Sequence, residues 1–253
     1  MVRSVAGDRG GLGVTVVTVL TPISAWRPVE LTFAEQGYMF DGRSMRYRDS
    51  ETGRYVSESK LTALRDEVAA LAEDQLRRVG MNAPGTAADV IRAGLIESTQ
   101  NAITVNYLIG AGGVNNMTEA RWQELAALNQ KAAEEIGAAV WMDRPGEYSD
   151  AQRMNFAGLN SGYSVAAYST GQASALGVEL PAHPAVGTEC GGNCRCSWSI
   201  KTSIRGRGKN RIRRIEATWN ASDDDRTCST CTERAGRYNP WTMDVPVDED
   251  EVS

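Results

Sequence analysis

All five cysteines and the single histidine of this 253-residue chain fall between His183 and Cys231. The cysteines stand as Cys190-x3-Cys194-x-Cys196 and Cys228-x2-Cys231, with a basic connector between the two groups. Two short-spaced thiol groups separated by a connector suit a tetrahedral zinc site, because each turn presents two thiolates to one metal. A small secreted scaffold would use the same cysteines as disulfides. Here a long cysteine-free body can form its own core, so the spacing predicts a bound structural zinc over disulfides or unligated thiols. The candidate ligands are Cys190, Cys194, Cys196, Cys228, Cys231 and His183. Two ligand sets fit the spacing: Cys190 with Cys194 facing Cys228 with Cys231, or Cys194 with Cys196 on one side of a strand and Cys190 left over. With more than four donors available, the site can close fully, which makes it structural rather than hydrolytic.

The connector is densely basic. Lys201, Arg205, Arg207, Lys209, Arg211, Arg213 and Arg214 lie within fifteen residues and are opposed only by Glu216 at the edge. Such a stretch can neutralise several phosphates, so Arg205, Arg207, Arg211, Arg213 and Arg214 are candidate nucleic-acid contacts. The plainer reading is a solvated hairpin with its tip at Arg205-Gly-Arg-Gly208 and Ile200, Ile204, Ile212 and Ile215 turned inward. The net charge of -5 argues against binding nucleic acid over the whole surface.

Upstream, apolar periodicity predicts helices. Ser57 or Ser59 can cap one that carries Leu61, Leu64, Val68 and Leu71 and stops at Gly80. A second starts near Thr86 with Asp89 three residues on, and runs through Ile91, Leu95, Ile103 and Leu108 to Gly112-Gly113. Thr118 caps a third, with Trp122, Leu125, Leu128, Ile136 and Val140 on its apolar side and Pro145 at its end. Ser149 and Gln152 form a capping box for a fourth, which passes Met154, Leu159 and Tyr163 and closes at Gly177. Before them, Tyr47 to Ser57 reads as two extended pieces around a turn at Glu51-Thr-Gly53.

The first forty-five residues are less regular. Val14–Leu20 and Val29–Phe33 can pair as a β-hairpin. The first run also loosely mimics a signal-peptide core, though its threonines dilute it. No run approaches the ~20 apolar residues of a membrane span. The expected architecture is therefore mainly α: an antiparallel helical body over 46–178 and a small C-terminal Cys/His-rich β-hairpin lobe over 179–243, α+β overall. An N-terminal extension over 1–45 and an acidic, disordered tail over 244–253 complete it. Glu134-Glu135 and Asp223–Asp225 read as a solvated face and a polar turn, and Gly110–Gly113 as a helix stop rather than a phosphate cradle.

The run L-P-A-H-P-A-V-G-T-E-C-G-G-N-C-R-C-S-W resembles the L-P-x-x-P-G-x-G-(x)-C-x-x-N-C-R-C-x-W signature of phage virion proteins related to the phage head-morphogenesis (Mu F-like minor head) proteins. Tyr47-Arg-Asp-x-x-x-Gly53-Arg-Tyr-Val-Ser57 is similar to a segment that precedes the helices in such proteins. Met117-Thr118 and Trp122, after Gly112-Gly113, resemble another. The order of the cysteine pieces is exchanged: His183-Pro184 and Cys194-Arg-Cys196 come first here, and Cys228-x2-Cys231 follows. The resemblance implies a structural, non-enzymatic role in a phage or prophage particle, with portal or capsid proteins as partners. It places the chain in the virion or the bacterial host cytoplasm, with packaged DNA as the partner of the 201–215 connector and no membrane. Two other classes remain open on the residues: a zinc-ribbon-like nucleic-acid-binding module, and an enzyme built on a Cys-His pair.

Overall fold

The computed structural model describes residues 38–63, 65, 67, 88–138, 159–184, 188–189, 194–207, 210–222 and 227–247. In chain order these residues form strands β1 (Tyr38–Asp41) and β2 (Arg46–Asp49), helices α1 (Ala88–Ala111), α2 (Glu119–Gly137) and α3 (Leu159–Ala175), strands β3 (Ser197–Arg205) and β4 (Ile212–Asn220), helix α4 (Ser229–Arg237) and strand β5 (Trp241–Pro246). A helical body and two small antiparallel sheets make the fold α+β. The expected strands at Val14–Leu20 and Val29–Phe33, the caps at Thr86, Ser149 and Gln152, and the acidic residues from Asp248 onward lie outside the described residues.

The helix ends follow from local chemistry. Ser57 Oγ accepts from the Lys60 amide at 3.3 Å and opens a helical stretch over 58–63. Thr118 Oγ1 accepts from the Arg121 amide at 3.3 Å and starts α2. At the end of α1 the chain turns left-handed through Gly112 (φ 90°) and Gly113 (φ 95°), and the Gly113 amide donates back to the Leu108 carbonyl at 2.8 Å. Gly177 (φ 69°) does the same after α3, with Val178 N–H reaching the Ala173 carbonyl at 3.0 Å.

Helices α1 and α3 form the centre of the body. Ile103, Tyr107 and Ala111 of α1 pack against Tyr163, Ala167 and Ala173 of α3, with Leu125 and Ala132 of α2 closing the cluster. Trp122, expected on the same stripe, sits at its edge and is 38 % exposed. Strands β1 and β2 pair in register from Tyr38 opposite Asp49 to Asp41 opposite Arg46. This hairpin docks on α1 through Tyr47, whose hydroxyl donates to the Ile109 carbonyl at 2.8 Å, and through a small core of Tyr38, Val56, Val105 and Ile109. Asp49 organises the following turn by accepting from the Glu51 and Thr52 amides, and Gly53 takes φ 66° there.

The C-terminal sheet has the order β3-β4-β5. Its inner face follows the strand period of two: Arg213, Ile215, Ala217 and Trp219 of β4 are buried. The expected hairpin is present, and β5 adds a third strand by pairing with β4 from Ile212 opposite Pro246 to Ala217 opposite Trp241. The inward set of isoleucines is corrected by the same period. Ile200, Ile204 and Ile215 share one face, whereas Ile212, three residues from Ile215, points to the other. Ile204 is on the inner side but 52 % exposed.

Candidate metal centre

Cys194 and Cys196 immediately precede β3, and their sulfurs turn toward the same point. Both are buried, at 0 % and 2 % exposure. Helix α4 supplies the opposite side: Cys228 is its N-cap and Cys231 lies in its first turn. Packing α4 under β4 brings Cys231, itself 0 % exposed, onto the other two. The sulfurs of Cys194, Cys196 and Cys231 all lie within 4.8 Å of one another, and the Cys194–Cys231 pair is 3.7 Å apart. Two thiolates on a tetrahedral zinc, each about 2.3 Å from the metal, stand roughly 3.8 Å apart. The spacing thus fits metal coordination, and none of the four described cysteines is in a disulfide.

Cys228 is half-buried beside Cys231 and lies outside the group of three mutually close sulfurs. Burial, then the Cys196, Cys228 and Cys194 thiols around it, push the Cys231 thiol well above the ordinary cysteine range. Without a cation this group stays protonated and unreactive. A bound metal would reverse that, since a coordinating thiol is deprotonated outright. The N-terminus of α4, with Cys228 as its cap, adds a favourable dipole for negative charge on the pair. This cluster can therefore hold a metal ion.

Of the six residues expected as ligands, the structure gathers Cys194, Cys196 and Cys231, with Cys228 beside Cys231. Cys190 lies outside the described residues. His183 is not in the thiol group. Its Nδ1 is 3.0 Å from Thr170 Oγ1 on α3, and Thr170 donates its own proton to the Ala166 carbonyl at 2.8 Å. With the hydroxyl proton so placed, the histidine donates through Nδ1–H, which the neutral Nδ1–H ring and the imidazolium both carry. Burial lowers its pKa; the Glu124 and Glu179 carboxylates oppose that shift and Arg234 and Lys131 add to it.

The segment around His183 works as a strap. Leu180 and Pro184 are buried, Trp198 Nε1 donates to the Ala182 carbonyl at 2.8 Å, and Arg234 of α4 donates to the His183 carbonyl at 3.2 Å. Trp198 also packs edge-on against Trp219, its partner across β3 and β4, with ring centroids 5.2 Å apart. Thr170 and Arg234 thus hold the segment around His183, and no local sequence pattern marks either one.

The basic connector is divided by the sheet. Arg213 points inward, is 5 % exposed, and donates to the Arg43 carbonyl at 3.4 Å. Arg214 points outward and is paired with Glu216 at 3.2 Å and with Asp244 of β5 at 3.7 Å. Arg205 lies 3.8 Å from Glu216. Arg207 is exposed near the tip and Arg211 is half-buried before β4. The arginines do not share one open face, and β5 brings an acidic partner that the local sequence lacks. Among the described residues, no helix is long and apolar enough to cross a membrane. No protein-family model, curated protein or solved structure matches this chain.

Proposed function

We propose that this chain is a structural protein of a phage or prophage particle, acting in head assembly, and that one zinc ion closes its C-terminal lobe. The observation that supports the metal is the thiol geometry: Cys194 and Cys231 stand 3.7 Å apart with Cys196 as the third corner. Cys228 is the fourth ligand, at the cap of the helix that carries Cys231. An all-thiolate tetrahedral set selects zinc over harder cations, and four protein ligands leave no open position for a substrate or water. The ion is a staple between the approach to β3 and the start of α4. The role is therefore non-enzymatic.

The particle assignment rests on the resemblance of the 180–198, 47–57 and 112–122 segments to phage head-morphogenesis proteins. The packing of Leu180, Pro184 and Trp198 supports it by giving those motif positions a structural task. Portal or capsid proteins are the partners and the virion is the site of action. Elemental analysis of protein purified in reductant should find about one zinc per chain. A metal-free protein that remains folded in reductant removes the staple. Mass spectrometry of purified particles from a host carrying this gene should detect the chain, and its absence removes the virion role.

A further inference from the structure

A groove of about 600 Å³ runs between the β1–β2 hairpin and the outer half of β3, with no described cysteine in its lining. One wall is made by five consecutive strand residues, Ile200 to Ile204. Strand β3 pairs with β4 on one side only, and no described strand covers its other edge. Residues 201 to 205 are exposed. The groove therefore runs along an open strand edge about 17 Å long, five residues at roughly 3.4 Å each, from which alternate residues turn their backbone N–H and C=O outward. Phe40, Tyr168 and Leu176 contribute apolar surface to it, and Ile204 offers an exposed side chain.

The charge of the lining is lopsided. Arg43, Arg46, Lys201 and Arg213 line the groove, and Glu58 is the one acidic residue among them. Arg213 is already engaged with the Arg43 carbonyl, and Arg46 lies over the Tyr55 ring at 4.3 Å. The side chains of Arg43 and Lys201 have no ion-pair partner among the described residues.

We propose that this groove binds an extended acidic peptide segment of another protein, which adds a strand to the free edge of β3. Backbone hydrogen bonds to residues 200–204 would set its register; its glutamates, all on one face of an alternating strand, would lie beside outward-pointing Lys201, its apolar side chains over Ile200 and Ile204, and Arg43 would add positive charge at the hairpin wall. A second copy of this chain is a poor occupant. Antiparallel pairing of two β3 edges centred on Ser203 sets Lys201 opposite Arg205, and like charges directly opposite destabilise a strand pair. The same lysine that guards the edge against its own kind selects a strand of the opposite charge.

The test uses the full chain and a short fluorescent peptide alternating valine and glutamate. Controls are the valine–lysine analogue, the valine–glutamate peptide with alternate amides N-methylated, and an oligothymidylate. The acidic peptide should bind and shift the backbone amides of residues 200–204 in NMR spectra, and the lysine and N-methylated peptides should bind at least about tenfold more weakly. Arg43→Glu with Lys201→Glu, both at solvent-facing side chains, should weaken the acidic peptide by about tenfold or more while circular dichroism stays unchanged. Equal binding of the lysine or N-methylated peptide, binding unaffected by the double substitution, or no binding at millimolar peptide overturns the proposal. Preference for the oligothymidylate overturns it in favour of a nucleic-acid groove. The zinc staple shares no residue with this surface, so metal loss and peptide loss are separate readouts.

Discussion

Gly110 of α1 and Gly171 of α3 each lie against the backbone of the opposite helix. A Cβ built on Gly110 would stand 2.2 Å from the Tyr168 carbonyl oxygen, and one on Gly171 would stand 2.3 Å from the Tyr107 carbonyl oxygen. The contact is reciprocal, and it sets how closely the two central helices approach. In an exposed helix, glycine to alanine gains about 1 kcal/mol. Here that gain is outweighed, because backbone must move to admit the methyl group. Gly110→Ala and Gly171→Ala are each expected to destabilise the fold by about 1 to 3 kcal/mol in urea denaturation. Gly137→Ala, with nothing within 4 Å of its Cβ position, should be neutral or stabilising. An unchanged midpoint for Gly110→Ala would show that the helices are not in close contact there.

Leu125 is the described leucine of α2 that reaches the main core, at 3 % exposure. Leu125→Ala should cost ~2 to 5 kcal/mol, as a transfer loss plus a cavity. Leu128, packed at the margin of the same core, should cost less. Chemical denaturation of both variants ranks them, and the reverse order would place the core seam on the wrong side of α2.

The thiol geometry separates the cysteines. Cys231→Ser and Cys228→Ser should each lose the metal, and Cys194→Ser and Cys196→Ser should do likewise, since all four form the proposed set. Cys190→Ser should retain about one zinc per chain. The result that counts against this set is full occupancy after Cys196→Ser together with loss after Cys190→Ser. Chelation should release α4 from the sheet while the far-ultraviolet signal of α1 to α3 persists.

Arg213 and Arg207 should behave oppositely although they sit six residues apart in one basic run. Arg213→Ala removes a buried guanidinium bonded to the Arg43 carbonyl and should lower stability by about 1 to 3 kcal/mol. Arg207→Ala, at an exposed position, should stay within about 0.5 kcal/mol of the parent. If the chain binds DNA at low salt, Arg207→Ala should flatten the log-log salt dependence by roughly 0.9. Arg214→Ala, already paired with Glu216 and Asp244, should change that slope less.

Tyr107 donates to Glu124 at 2.5 Å, and Tyr163 donates to Glu135. Burial first, and then the adjacent carboxylate, raises both phenol pKa values above the usual value near 10. The folded state therefore holds these protons more tightly than the unfolded chain. The stabilisation is complete below pH about 10 and is lost as pH rises beyond it, because the unfolded tyrosines ionise first. Burial raises Tyr168 as well, so ultraviolet titration should show at least three tyrosines that ionise only with alkaline unfolding. Tyr107→Phe with Tyr163→Phe should reduce that late step to the part carried by Tyr168, and early ionisation of all tyrosines in the native protein would contradict the buried pairs.

Much of the local structure was legible in the residues alone. Ser57, Thr118, Gly112-Gly113 and Gly177 mark helix ends through contacts that span only a few residues, so their chemistry is complete in the sequence. The β3–β4 hairpin was legible for the same reason. Strand β1, strand β5 and α4 were not, because short elements draw their stability from what they pack against rather than from their own pattern. The cysteine spacing defined a set of donors, and the choice among them belonged to the tertiary structure. Cys194 meets Cys231 across 37 positions only because α4 packs beneath β4. His183, adjacent to the thiols in sequence, is turned to Thr170 instead. The basic run shows the same division. Its composition was plain from the sequence, but the strand period buried Arg213, and the pairing of β5 set Asp244 beside Arg214. Short-range signals act within a turn or a strand, whereas ligand sets and charge pairing depend on which distant surfaces the core brings into contact.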